Sequence, residues 1–141
     1  MTSGGNIYTN ATVREIMYAV SVARTIVAQH YLTVPDPGPE GVHHSHRFTI
    51  EATVRGPELD AHEYLVDIDD LDEAMNALAD HYSDRTLNDC SGFEDVNPSA
   101  ERFARVFGDR LLERLEPETA TELRIEIEED DVARVAHHRE L

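Results

Sequence analysis

Residues 40–55 read EGVHHSHRFTIEATVR, in which a histidine cluster leads directly into an alternating stretch. Because successive side chains of a β-strand point to opposite faces, this alternation predicts a strand over 46–55. One face carries His44 and His46, followed by the apolar side chains of Phe48, Ile50, Ala52 and Val54. The other face is polar and carries Ser45, Arg47, Thr49, Glu51, Thr53 and Arg55. The two histidines therefore extend the row that faces the core, where two imidazoles can share one metal ion.

A third histidine, His30, ends a segment that is rich in β-branched residues. Periodicity alone leaves residues 17–28 of that segment open between strand and helix. A lone histidine is more often a packed core residue, whereas a His-x-His pair with a third histidine upstream favours a metal site. Three neutral imidazoles with one open coordination position form a catalytic zinc arrangement. The pattern therefore predicts a metal site at His30, His44 and His46.

The rest of the chain alternates between helical and strand patterns. Apolar residues recur at helical spacing over 69–82 and 98–115, and the second helix has Asn97 as a candidate N-cap with Pro98 at its first position. A strand is predicted over 123–129, with Glu129 on its inward row, and a short strand is possible near 132–138. The expected fold class is α+β, an antiparallel sheet with two helices on one face. Two or three strands leave open edges, so assembly with other copies is expected.

Length and charge narrow the function classes. At 141 residues the chain is expected to form one domain over 1–141, with residues 1–12 as a flexible tail. Acidic residues number 29 against 12 basic ones, all of them arginine, which argues against nucleic-acid binding. Such a surface is typical of extreme halophiles and predicts stability that improves in molar salt. The single cysteine, Cys90, excludes an intramolecular disulfide. With no long apolar run or signal pattern, a soluble cytoplasmic protein without membrane contact is expected.

Six short segments match the motifs of one protein family in the same order along the chain. They are Ile26-x-Ala28-x-His30, Glu40-x-x-x-His44-Ser45-His46, Asp67-Ile68, Leu87-Asn88, Asn97-Pro98-Ser99-Ala100-Glu101 and Ile125-x-Ile127-x-Glu129-Asp130. In these segments the chain resembles the 6-pyruvoyltetrahydropterin synthase and 6-carboxytetrahydropterin synthase family. The resemblance spans about residues 17 to 138 and implies that residues 17–28 form a strand.

The resemblance also implies a tunnelling fold (T-fold), whose chains combine their sheets into a multimeric barrel, commonly a homo-hexamer of two trimers. It implies Zn²⁺ on His30, His44 and His46, and a small-molecule pterin as substrate. Glu129 would anchor that pterin, its carboxylate accepting paired hydrogen bonds from the ring's N–H and amino groups. The family's usual substrate is 7,8-dihydroneopterin triphosphate.

The chain departs from the family pattern at two places. Glu40 stands where the family has a cysteine base, and the ordinary pKa values of the two groups differ by about four units. Glu40 is therefore a candidate general base, with a solvated loop glutamate as the alternative. The family's Asp-His pair falls on Ser83 and Asp84 in a gap-free alignment, while Asp80-His81 lies three residues early. His81 and Asp84 both remain candidate catalytic residues.

Three functions follow from these observations. The first is a zinc-dependent pterin lyase that makes 6-pyruvoyl- or 6-carboxy-tetrahydropterin. Its close rival is side-chain cleavage to 6-hydroxymethyl-dihydropterin for folate-type cofactors, because some family members with glutamate in place of the cysteine resemble cleaving enzymes. The second is a metal- and pterin-binding homologue without turnover, motivated by the altered cysteine and Asp-His positions. The third keeps only the fold, as an oligomeric structural module.

Overall fold

The computed structural model describes residues 17–141, which form a four-stranded antiparallel sheet and two α-helices. The strands are β1 (Tyr18–His30), β2 (His44–Gly56), β3 (Glu122–Glu129) and β4 (Ala133–Glu140). The helices are α1 (Ile68–Tyr82) and α2 (Ala100–Arg114), and two 3-10 turns lie at Gly38–Gly41 and Leu87–Asp89. The strands lie in chain order, β1-β2-β3-β4, so both helices belong to the connection between the neighbouring strands β2 and β3.

Strand register brings the polar residues of the inner face to one end of the sheet. His30 pairs with His44, and Ala28 pairs with His46. On the other side of β2, Phe48 pairs with Glu129. Paired residues of antiparallel strands share a face. The histidines and Glu129 therefore project from the same face of the same end.

The remainder of that face is covered by the hydrophobic core, which leaves the end with the histidines uncovered. Both helices pack on it, and the fully buried side chains are mostly aromatic or branched. They include Phe48, Ile50, Leu71, Met75, Tyr82, Phe103, Phe107, Leu111, Leu123 and Ile125. Phe48 also touches the rings of His30 and His46, with centroids 6.2 and 5.8 Å away. The apolar core therefore ends directly at the histidines.

The structure confirms the predicted α+β class and the inward row of β2. The ambiguous first segment is a strand, as the resemblance implied, and β4 is a full strand of eight residues. The sheet thus has four strands rather than two or three. The prediction of a flexible tail over 1–12 lies outside the described residues. Within 17–141, neither helix is long and apolar enough to cross a bilayer.

The predicted N-terminus of α2 was wrong. The helix begins at Ala100 and its N-cap is Ser99, whose Oγ accepts a hydrogen bond from the backbone N–H of Arg102 at 3.1 Å. Asn97 does not cap the helix because its side-chain oxygen accepts the backbone N–H of Thr33 at 2.9 Å. Pro98 precedes the helix, and its carbonyl oxygen is bonded to His30. Two residues that resemble a helix start are used instead to tie the helix to the chain after β1.

Candidate metal and substrate site

Three imidazoles meet where β1 ends and β2 begins. His30, His44 and His46 each offer a ring nitrogen, and these nitrogens lie within 4.8 Å of one another. Their ring centroids are 4.6, 5.0 and 4.7 Å apart. The structure thus brings together all three residues that the sequence predicts as metal ligands.

The outer nitrogen of each ring is held by an acceptor. Nδ1 of His30 lies 2.8 Å from the carbonyl oxygen of Pro98, and Nδ1 of His44 lies 2.6 Å from that of Val42. Nδ1 of His46 is hydrogen-bonded to the carboxylate of Asp130. Because carbonyl and carboxylate oxygens only accept, each neutral ring carries its proton on Nδ1. The lone pair is then left on Nε2, the arrangement found when an outer acceptor orients a metal-binding histidine.

Two of the inner nitrogens lack a hydrogen bond within the described chain. Nε2 of His44 and Nε2 of His46 are both buried and make no hydrogen bond among residues 17–141. An unsatisfied buried polar atom is costly, so an orphaned pair aimed at one point requires an explanation. Three neutral imidazoles suit zinc and similar divalent ions. The residues present therefore fit a zinc ion.

Burial keeps His30 in the form that binds metals. The residue is only 3% exposed. Burial lowers its pKa, and the bond to the Pro98 carbonyl opposes that effect only in part. A depressed pKa favours the neutral imidazole, which is the species that donates a lone pair to a metal.

Two asparagines hold the chain that leaves His30. The side chain of Asn88 makes two bonds to the backbone of Tyr31, accepting from its N–H and donating to its carbonyl oxygen, both at 3.0 Å. Two residues further on, Asn97 accepts from Thr33. Both asparagines belong to the family-like motifs of the sequence. Their contacts show that these motifs position the strand end that carries the first histidine.

Two carboxylates border the histidines. An oxygen of Glu40, an oxygen of Glu129 and a ring nitrogen of His46 lie within 4.8 Å of one another. Glu129 ends β3 on its inner row, as predicted, with 25% of its side chain exposed, and its Oε1 is 3.2 Å from Nε2 of His46. Glu40 is exposed and sits on the 3-10 turn that precedes β2. The predicted substrate anchor and the predicted base thus lie beside the predicted metal ligands.

The environment of Glu129 suits a ligand rich in hydrogen-bond donors. Burial raises the pKa of this carboxyl, His46 opposes the rise, and the negative charges of Asp130 and Glu40 add to it. Ionisation is therefore less favourable than for a surface glutamate. Paired N–H donors from a bound molecule would stabilise the ionised form.

His81 and Asp84 belong to neither of these two groups within the described chain. His81 is in the last turn of α1 and lines a cavity with Arg85, Arg110 and Arg114. Burial lowers the pKa of His81, and the three arginines lower it further. Asp84 adopts a positive φ of 59°, and its backbone N–H donates to the carbonyl oxygen of Val27 at 2.7 Å. A catalytic part for either residue stays a prediction.

Sequence reasoning missed the partners of the three Nδ1 atoms. Asp130 was noted only as the end of a family-like motif, and the carbonyls of Pro98 and Val42 carry no side-chain signal at all. The Val42 carbonyl is two residues from His44. Pro98 and Asp130 are 68 and 84 positions from the histidines they contact. Those two hydrogen bonds are visible only in the folded structure, because their partners are far apart in the sequence.

Comparison with known proteins identifies a family and a fold for this chain. The sequence model described as 6-pyruvoyl tetrahydropterin synthase matches residues 19–140. No curated protein matches in a direct comparison. Among solved structures, the Caenorhabditis elegans 6-pyruvoyl tetrahydropterin synthase is similar with a TM-score of 0.73 at 19% identity, covering 86% of this chain and 94% of that one.

Two further structures extend the comparison. A Plasmodium vivax 6-pyruvoyltetrahydropterin synthase, in a variant with a catalytic glutamate replaced by alanine, gives a TM-score of 0.72 at 13% identity, covering 89% of this chain and 99% of that one. A putative dihydroneopterin aldolase of Vibrio cholerae gives a TM-score of 0.54 at 14% identity, covering 89% of this chain and 98% of that one. At such low identities the structural likeness establishes the fold, which is the predicted T-fold. The family-wide match over residues 19–140 establishes more: the chain belongs to the 6-pyruvoyl tetrahydropterin synthase family.

Proposed function

We propose that this protein is a zinc-dependent pterin lyase acting on 7,8-dihydroneopterin triphosphate. One observation carries the proposal: His46 belongs both to the three-histidine group and to the group it forms with Glu40 and Glu129. A metal ligand, a candidate ring anchor and a candidate base therefore lie within a few ångströms. Such convergence of a metal site with carboxylates in differing environments is typical of a reaction centre.

Each group has a distinct part in this proposal. Glu129 holds the pterin ring, since an ionised carboxylate accepts two parallel hydrogen bonds and so fixes orientation. A zinc ion on His30, His44 and His46 would polarise hydroxyl groups of the pterin side chain. Glu40, exposed at the rim, takes a proton from that side chain while the bond to the triphosphate leaving group breaks.

A glutamate as base has support from a relative. Two structures of the P. vivax enzyme carry variants in which a glutamate that is a catalytic residue of that protein is replaced by alanine or by cysteine. Here Glu40 stands at the position of the family's cysteine, next to Glu129 and His46. This placement favours the catalytic interpretation of Glu40 over that of a solvated loop residue.

The same glutamate supports a second candidate function. A carboxylate base differs from a thiolate in proton affinity, so side-chain cleavage to 6-hydroxymethyl-dihydropterin is the alternative product route. Both routes use the same ligands and the same ring anchor. The two routes break different bonds of the substrate. Identification of the product therefore distinguishes one route from the other.

We further propose that the active form is a homo-hexamer, a dimer of trimers. β1 and β4 are the edge strands of the sheet, and an open edge offers backbone groups to another chain. β1 is long, with 13 residues, and within 17–141 the outer edge is covered near its end, where the backbone of Val27 and Gln29 contacts residues 84–86. Light scattering coupled to gel filtration tests this state directly.

The testing experiment is product analysis by mass spectrometry. Zinc-loaded protein is incubated with 7,8-dihydroneopterin triphosphate in molar salt. A tetrahydropterin that retains a side-chain carbonyl or carboxylate is the expected product. 6-Hydroxymethyl-dihydropterin would establish the cleavage route instead. Unchanged substrate, with zinc verified in the protein, would contradict a lyase and favour a binding protein.

The Glu40→Gln variant tests the base. We expect turnover to fall by about 100-fold or more with zinc content unchanged, because removing a general base costs ~10²–10⁴-fold. Glu58→Gln is the matched control, since Glu58 is also exposed and lies in the loop after β2, outside both site groups. Equal turnover of the two variants would remove Glu40 from the mechanism.

A further inference from the structure

The turn between β3 and β4 has a positive φ at both of its central residues. Its two central residues, Asp130 and Asp131, have φ values of 53° and 59°, and the N–H of Val132 donates to the carbonyl oxygen of Glu129 at 2.9 Å. Positive φ at both central positions is the geometry of type I′ turns, which strongly prefer Asn-Gly, Asp-Gly or Gly-Gly. Aspartate suits the first of these positions, whereas Asp131 stands where glycine is preferred.

The first of these aspartates is bound to β2 through three hydrogen bonds. Its Oδ2 accepts from Nδ1 of His46, and its Oδ1 accepts from the backbone N–H of Arg47 at 2.8 Å. Its own N–H donates to the carbonyl oxygen of Arg47 at 2.9 Å. Within 17–141, by contrast, the side chain of Asp131 is hydrogen-bonded only to the half-exposed guanidinium of Arg47. The two neighbours share a backbone conformation but differ in what they touch.

Both carboxylate oxygens of Asp130 face donors, so the site requires two acceptors. An ionised carboxylate satisfies both at once. An amide at the same place offers one oxygen and one NH₂ group, and one of its two contacts then becomes donor against donor. If the NH₂ group faced His46, it would favour the proton on Nε2, where a metal needs the lone pair.

His46 also differs from the other two histidines in the charge of its partner. His30 and His44 are held by neutral backbone carbonyls, whereas His46 is held by a carboxylate. A carboxylate partner fixes the tautomer, orients the ring and raises the basicity of the opposite nitrogen. Of the three rings, His46 therefore has the Nε2 that donates its lone pair to a metal most strongly.

We propose that Asp130 is a positioning residue of the metal site: through Nδ1 of His46 it directs the Nε2 lone pair at the metal. The proposal rests on the metal site of the proposed function. It adds that the β3–β4 turn, which supplies no ligand itself, sets the affinity of that site.

The test compares Asp130→Asn with Asp131→Asn. Both substitutions remove one charge, and both suit the backbone because asparagine tolerates positive φ. Zinc affinity of the metal-free proteins is measured by competition with a chromophoric chelator. We expect Asp130→Asn to bind zinc roughly 10- to 100-fold more weakly, and Asp131→Asn to match the parent. The d–d absorption of cobalt-loaded protein should change only in Asp130→Asn.

Each outcome has a defined meaning. If the parent binds no zinc, the metal site of the proposed function fails and this proposal fails with it. If the parent binds zinc and Asp130→Asn binds equally well, only the role of Asp130 is overturned. Asp130→Gly is a second variant, which relaxes the turn while removing the contact, and it should also bind weakly. If both Asp130 variants fail to fold while Asp131→Asn folds, the carboxylate stabilises the turn and does not position the ligand.

Discussion

At the scale of single residues, the site is built from side chains that are hydrogen-bonded to the protein on one side and face the site on the other. Each imidazole has its outer nitrogen bonded to the protein, and the inner nitrogens of His44 and His46 are left without a partner among residues 17–141. Glu129 lies half-buried beside this group, with its Oε1 3.2 Å from Nε2 of His46. Free functional ends that share one small volume indicate that a ligand completes them.

The role of Glu129 leads to a prediction about pterin binding. Glu129→Gln should weaken binding of 7,8-dihydroneopterin by roughly 10- to 100-fold, because an amide accepts through one oxygen only and a bond to a charged group contributes ~1.5–3 kcal/mol. Binding is measured by pterin fluorescence, and zinc content is measured on the same samples. Glu128→Gln is the control, since Glu128 points to the opposite face and pairs with Arg134 at 3.3 Å. Equal affinity of both variants would exclude Glu129 as the ring anchor.

The sequence predicted that the three histidines form one group, but not which groups orient their rings. Alternation placed His44 and His46 on the inward row, and pairing with β1 confirmed that placement. The partners of His30 and His46 come from the start of α2 and from the β3–β4 turn, which no local pattern connects to a histidine. The pattern also could not decide between Asp80-His81 and Ser83-Asp84, because both pairs lie where α1 ends.

At the scale of elements, β2 and the start of α2 contribute most to the site. β2 presents two of the three histidines and then continues through the core, so its hydrophobic burial also fixes these histidines. The segment before α2 serves three contacts in consecutive residues: Asn97 holds Thr33, Pro98 holds His30 and Ser99 caps the helix. The sequence prediction assigned the cap to Asn97 because it read this segment as helix alone.

The cap assignment predicts a specific loss of stability. Ser99→Ala should lower the free energy of unfolding by about 1 kcal/mol, because the N–H of Arg102 loses its acceptor. Denaturant unfolding followed by circular dichroism measures the change. Ser83→Ala is the matched control, since exposed Ser83 ends α1 through its backbone N–H. It should change stability by less than ~0.5 kcal/mol. Similar losses in both variants would contradict the assignment.

At the scale of the whole molecule, charge is the dominant property. The formal net charge of −17 rests on 29 acidic residues, and the basic residues are all arginine. Seven ion pairs within 17–141 join an arginine to an acidic side chain, and most of these pairs are at the surface, where each contributes little. Repulsion among the remaining carboxylates therefore opposes the compact state.

Such repulsion predicts that salt stabilises the fold. We expect the urea midpoint to rise between 0.1 M and 2 M potassium chloride, because the screening length falls from ~10 Å to about 2–3 Å. The control is an uncharged osmolyte at the same osmolality, which leaves charge repulsion unscreened. An equal rise in that osmolyte, or no rise in salt, would contradict a charge-based cause.

The central claim is that His30, His44 and His46 form one metal site, and X-ray absorption at the zinc edge tests it most directly. Outer-shell scattering from imidazole rings counts the histidines on the metal. The account predicts one zinc per chain with three imidazoles at ~2.0–2.1 Å and one further light atom. A zinc shell with a single imidazole and carboxylate oxygens would instead identify the group formed by Glu40, His46 and Glu129 as the ligands and contradict the claim.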